Sequence, residues 1–214
     1  MNPLFQDTFV DVNETLLTAH TPQYPAGASD WSTVTGPVPS IQSNWATASL
    51  AGNATTEAIY TLAAAVPTFT LDFDYQFTVP NTGNSIVVCI NAPTNSPSSG
   101  LKVMLSPPSY SSFLTYASVS LGSPAPRVRA AGLVNSDALV HHTTVVVDGA
   151  TMYWYVDNLV LGLISILGLD PNLCGPSIFI KLVSAAGVTQ IRNLSIRSLP
   201  KQAPQGNYWV NPIN

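Results

Sequence analysis

TTVVVDGATMYWYVDNLVLG, residues 143–162, decides the fold class. A β-branched run, Thr143 to Val147, meets Asp148-Gly149, and a second run, Thr151 to Val156, sets Tyr and Trp at alternate places. Asp-Gly between two such runs predicts a hairpin, because a type I′ turn needs φ > 0 at both central residues. Asp157-Asn158 predicts a second reversal immediately afterwards. Tight antiparallel meanders of this kind build all-β sandwiches.

The same grammar runs through the chain. Phe69, Leu71, Phe73, Tyr75 and Phe77 alternate strictly, which places them on a core face and sets Asp72, Asp74 and Gln76 on the opposite one. Further strands are predicted at Phe5–Val10, Ala58–Leu62, Ile86–Ile90, Leu101–Leu105, Phe113–Leu121, Val128–Val134, Ile178–Val183 and Val188–Ile196. Tyr24–Ser40 reads as a long Pro/Gly/Ser loop around Trp31, and the apolar run Leu159–Leu169 as a loop too greasy to be freely solvated. Residues 1–199 are expected to form one domain. Residues 200–214, PKQAPQGNYWVNPIN from Pro200 on, lose the alternation and read as an extended arm.

Composition narrows the function. Only 8% of residues are charged while 46% are hydrophobic, so the chain is no disordered segment, and its surface is weakly protected from association. A net charge of −4 with seven scattered Lys and Arg offers no basic stripe for nucleic acid. No apolar run is long enough to cross a membrane as a helix. The opening MNPLFQDTFVDVNE has neither a basic region nor an apolar core, so no secretory signal is read there. Cys89, inside an apolar run, is expected to be a buried free thiol rather than to pair with Cys174.

The order of motifs resembles the concanavalin A-like lectin/glucanase and laminin-G superfamily, in particular its single-domain versions among bacteriophage virion proteins. The resemblance rests on Asp7-Thr8-Phe9, on Leu16, Leu17, His20 and Pro22, and on Trp31. It also rests on His142 ahead of Val-Val-Val-Asp-Gly, on Tyr153 to Asn158, and on Ile191 to Ile196. It implies an antiparallel two-sheet jelly-roll sandwich with the first and last strands paired. It also implies a non-enzymatic virion structural protein made in the host cytoplasm, foremost a capsid decoration or cementing protein bound to shell or tail components. The alternative is a carbohydrate- or receptor-binding module of a tail fibre or adhesin. A homo-oligomer, such as a trimer, is expected.

Candidate sites follow from side-chain chemistry. Hydrolases of this fold carry an E-x-D-x-E type strand; here Asp72-x-Asp74-x-Gln76 lacks the third acid, so no catalytic set is assigned. Asp157 with Asn158, or Asp11 with Asn13 and Glu14, lack a calcium-loop spacing and read as turn chemistry. Adjacent His141 and His142 point to opposite faces of a strand and cannot chelate one ion; with His20 they are read as structural. No metal and no cofactor is predicted. Trp31, Trp45 and Tyr110, with Tyr116, are the aromatic candidates for a glycan, and Trp154 is ambiguous between core and sheet face. In the arm, Tyr208, Trp209, Val210 and Ile213 are expected to anchor a partner.

Overall fold

The computed structural model describes residues 3–25, 31–34, 36–48, 54–79, 81–92, 100–107, 114–121, 132–135, 137–149, 151–165 and 175–199, with side chains left aside at 114–121, 132–135 and 161–165. Two antiparallel sheets face each other. The larger runs β12 (Leu159–Ser165), β11 (Thr151–Val156), β10 (His141–Asp148), β5 (Phe69–Phe77), β14 (Thr189–Ser198), β3 (Trp45–Thr47) and β2 (Ser40–Gln42), with β1 (Pro3–Asp7) also paired to β14. The smaller runs β4 (Ala54–Thr61), β13 (Ser177–Ser184), β6 (Ser85–Ala92), β7 (Leu101–Ser106), β8 (Leu114–Leu121) and β9 (Gly132–Asn135). Among the described residues the helical content is one 3-10 turn, Leu17–Ala19.

Strand β5 shows why these residues form a sandwich. Phe69, Leu71, Phe73 and Tyr75 are fully buried and Phe77 nearly so, while Thr70, Asp72, Asp74 and Gln76 between them stay partly exposed. Its partners β10 and β11 follow the same parity. Val145, Val147, Met152, Trp154 and Val156 join the inter-sheet core, where the Trp154 indole N–H donates to Thr143 Oγ1 at 2.8 Å. From the other sheet, alternate residues such as Ile86, Val88 and Ile180 close the core. Their neighbours Val87, Cys89 and Phe179 form a second small cluster on the far side of that sheet. Cys89 is a buried free thiol, its pKa pushed up to about 12 by burial.

The chain ends pair as the resemblance implied, Phe5 opposite Ile196 and Asp7 opposite Leu194. Strand β1 stops at Asp7 rather than running to Val10: Phe9 sits at φ 54°, a left-handed position incompatible with an extended strand, and its backbone N–H turns to the Asp7 carboxylate. That buried carboxylate accepts the Phe9 backbone N–H and the Trp31 indole N–H, both at 2.8 Å, and lies 2.8 Å from His20 Nε2. The Trp31 ring packs edge-on against Phe5 and Tyr60, each 5.7 Å between centroids. Trp31 is therefore a core residue, 2% exposed, and offers no aromatic platform to a glycan.

Two local readings are corrected and one hairpin is added. Asp148 still pairs with Thr151, so the turn starts at Gly149 (φ 58°), one residue later than the Asp-Gly reading; glycine takes the left-handed conformation without steric cost. Residues 159–165 of the supposed apolar loop are strand β12, paired to β11, with Leu159 and Val160 exposed at the sheet edge. A short hairpin, β2–β3, turns at Ser43-Asn44, both with positive φ. The Asp157-Asn158 turn is as predicted, with φ of 50° and 65°.

The Asp7 knot ties β1, the turn after it and the Trp31 segment to one carboxylate. Asp7→Ala should cost about 3–5 kcal/mol, as removal of one partner from a buried polar set does. By contrast Val12→Ala, at an exposed site, should stay within about 0.5 kcal/mol. Urea unfolding of the two variants measures the difference, and equal midpoints would contradict this role.

Candidate functional site

The outer face of the larger sheet carries a cluster of charged and polar side chains from β5, β10 and β14. Asp72 and Asp74, two residues apart on β5, point the same way, about 7 Å apart along the strand. Across the ladder, Thr144 is opposite Asp72 and His142 opposite Asp74 on β10. On the other side Ser195 is opposite Asp72 and Arg192 opposite Asp74 on β14. Three steps on β14 therefore match two on β5, which is a β-bulge. Ile191 and Leu194 are both buried in the core, so the bulge turns the two successive residues Arg192 and Asn193 outward together. Asn193 sits at φ 54°, a left-handed position that asparagine tolerates better than most residues.

Both outward side chains converge on one carboxylate oxygen. The Arg192 Nε–H donates to Asp74 Oδ2 at 3.2 Å and the Asn193 amide donates to it at 2.7 Å. His142 Nδ1 lies 2.7 Å from Asp74 Oδ1, and its Nε2 lies 3.7 Å from Asp72 Oδ1. The Thr144 hydroxyl donates to Asp72 Oδ1 at 2.7 Å, and Arg197 Nη2 is 3.9 Å from Asp72 Oδ2. Beyond them, the Gln76 amide donates to the Ala138 carbonyl and its oxygen accepts from Gln190.

These contacts fix the charges. Partial burial works against ionisation of Asp72 and Asp74, but His142 with Thr144 and Arg197 at Asp72, and His142 with Asn193 and Arg192 at Asp74, outweigh it and hold both carboxyls below the usual range. In return Asp72, then Asp74, raise the His142 imidazole to about 9. At neutral pH the centre of the face therefore carries two carboxylates and three cations.

Aromatic rings flank this polar strip. Met152, Trp154 and Val156 are buried, so Tyr153 and Tyr155 point outward beside Val146 and Thr144. At the other end Ala46 faces the core opposite Ile191, which turns Trp45 to the outer side. The Arg192 guanidinium lies 4.3 Å over the Trp45 ring and the ring is almost fully covered. Of the aromatic candidates, Trp45 thus lies on this face but beneath Arg192, and Trp31 lies in the core. Tyr110 and the arm residues Tyr208, Trp209, Val210 and Ile213 fall outside the described residues, as does the side chain of Tyr116. Tyr153, Tyr155, His142, Arg192, Asn193 and Arg197 were not singled out from sequence as site residues.

The other two histidines are also bracketed by carboxylates. His20 lies between Asp7 and Asp11, and His141 between Asp137 at 2.9 Å and Asp157 at 2.6 Å. Burial resists protonation of His20, but Asp7 and Asp11 prevail and raise its pKa. His141 joins the Asp157-Asn158 turn to the segment before β10, and His142 takes the other side of the strand, as alternation requires. Asp11 accepts the Val12 backbone N–H beside its contact to His20, and Asn13 accepts the Ser43 backbone N–H, tying this stretch to the β2–β3 turn 30 residues away. Among the described residues no group of three or more His, Cys, Asp or Glu side chains is arranged to hold a metal ion. A separate groove of about 900 Å³, beside Tyr24, Tyr60 and Ala63 to Pro67, is lined mainly by apolar groups.

No protein-family profile matches this chain, and no curated protein sequence does. Solved structures do. One, described with endo-acting O-glycanases that initiate mucin breakdown in the human gut microbiota, superposes with a TM-score of 0.60 at 14% identity, over 93% of this chain and all of that one. The carbohydrate recognition domain of Emp46p, in a potassium-bound form, gives 0.59 at 12% identity over 86% of this chain and 95% of that one. A legume lectin-like domain from Entamoeba histolytica gives 0.54 at 10% identity, over 75% and 86%. At these identities the likeness speaks for architecture, and with the sheet topology it makes the fold a concanavalin A-like jelly-roll sandwich.

Proposed function

We propose that this protein is a non-catalytic carbohydrate-binding module that takes a glycan on the outer face of its larger sheet. The observation that carries the reading is the β14 bulge, which turns Arg192 and Asn193 together onto the face that already bears Asp72, Asp74, His142 and Thr144. Directional donors and acceptors of this kind match sugar hydroxyls, and Tyr153 and Tyr155 supply rings for the apolar side of a pyranose. The carbohydrate-recognition neighbours favour the same reading. This is the alternative named among the sequence expectations, a recognition module of the tail-fibre or adhesin kind. A capsid-cementing role, and the virion setting itself, rest on the resemblance to bacteriophage proteins and draw no support from the fold, the face or the comparisons.

Hydrolysis is disfavoured by the electrostatics of the same face. A glycosidase needs one carboxyl kept protonated as acid beside an ionised partner. Here both carboxyls are held low, and the third position of the strand is Gln76, bound on both sides.

Binding is tested by screening the protein against a glycan array and repeating the hits with Tyr153→Ala and Asp74→Asn. Each should weaken binding about ten-fold or more, the worth of a lost charged hydrogen bond or ring contact. Tyr153→Ala should nearly keep the melting temperature, and Asp74→Asn should lower it while leaving the protein folded, because the carboxylate also holds His142, Arg192 and Asn193. Unchanged affinity in both variants would contradict the proposal.

The charge state is tested by following the His142 ring through pH by NMR. Its midpoint should lie at about 9 and fall toward 6.5 in Asp72→Asn/Asp74→Asn. Because the folded value is raised, the stabilisation from this pairing is complete below pH 6.5 and is lost as pH climbs through about 9. A wild-type midpoint near 6.5 would show that the two carboxylates do not hold the imidazole.

A further inference from the structure

Arg192 is held differently from an ordinary surface arginine. Its guanidinium rests 4.3 Å above the Trp45 ring, and its Nε–H is fixed on Asp74 Oδ2. Its Nη groups take no hydrogen bond or ion pair among the described residues, and the side chain is 37% exposed. The fork is thus held from beneath and from one edge, with its outer edge turned to solvent.

The charges around it do not cancel. Arg192, Arg197 and protonated His142 stand against Asp72 and Asp74, one positive charge in excess on a protein of net charge −4. Beyond this centre, Asp137 and Asp157 are turned to His141 at one end of β10, Asp157 also accepting the His142 backbone N–H, and Asp148 stands exposed on the same face at the other end, six residues along the strand from His142. A neutral sugar would use the hydroxyl-matching groups and leave the Arg192 outer edge and the excess charge unanswered. A planar carboxylate meets two parallel guanidinium N–H groups, the strongest geometry available to arginine. Holding the fork in place beforehand removes most of the ordering cost of that contact.

We propose that this face selects glycans bearing a carboxylate, such as polymers of uronic acids, and that the Nη edge of Arg192 receives the carboxylate. The inference rests on the glycan-binding reading of the face and adds the charge class of the ligand.

The test pairs each acidic oligosaccharide with its own neutral form. Fragments of pectate, alginate and hyaluronan, and the same fragments after carboxyl reduction, are titrated calorimetrically into the intact protein, with a sulfated neutral glycan as a further arm. At least one uronate fragment should bind about ten-fold or more tightly than its reduced form, and the preference should weaken as salt is raised. Arg192→Gln should abolish the preference, and Arg192→Lys, which keeps the charge but not the fork, should lose most of it. The lysine variant and the salt series carry the test if the glutamine variant does not fold. Equal binding of every fragment that binds and its reduced form, or binding confined to neutral or sulfated glycans, would overturn the inference and leave the glycan-binding reading standing. No binding of any oligosaccharide, acidic or neutral, would overturn both.

Discussion

Strand β5 separates the two halves of this molecule's chemistry. Paired with β10 on one side and β14 on the other, it buries five large apolar side chains and sets Thr70, Asp72, Asp74 and Gln76 outward. A slip of one residue in its register would send aspartates into the core and phenylalanines into water, so the hydrophobic core fixes the position of the polar site. The core contacts and the residues of the proposed binding face are alternate members of the same nine. The outward residues can change only as far as their neighbours on β10 and β14 still match them.

A chain with 8% charged residues has few charges to place, and it places them in tight sets. Six of its nine aspartates bracket its three histidines. Two sets do structural work, since His20 with Asp7 and Asp11 closes the N-terminal knot, and His141 with Asp137 and Asp157 holds a turn against β10. The third, at His142, faces outward and, among the described residues, is the set that gathers two arginines. This difference in surroundings, rather than the presence of a histidine–carboxylate set, is what the proposal of a binding face rests on.

The sequence made the local part of this legible. The alternation of β5 and the turns near Asp148 and Asp157 were readable because period and turn chemistry act over short range, whereas the pairing of the first and last strands, from opposite ends of the chain, was supplied by the family resemblance alone. Strands β2 and β3 escaped because three residues are too few for a period. The Leu159 run lacks clear alternation, so its edge strand read as a loop. The site was half legible: Asp72 and Asp74 share a face by parity alone. Arg192 lies 118 residues from Asp74 and reaches it only through strand order and one bulge, neither of which leaves a mark in spacing. Once Trp154 is known to face the core with Met152 and Val156, Tyr153 and Tyr155 follow; three aromatics in succession left that parity open in the sequence.

The central claim is that the outer face of the larger sheet, and no other part of the surface, receives the ligand. Amide and side-chain NMR of the labelled protein, titrated with a pool of oligosaccharides, addresses it directly. The account predicts shifts concentrated on the Arg192 Nε–H, the Asn193 amide and the rings of Tyr153 and Tyr155, with the core signals of Trp31 unmoved. Shifts confined to the apolar groove around Ala63 to Pro67, with the outer face silent, would contradict it.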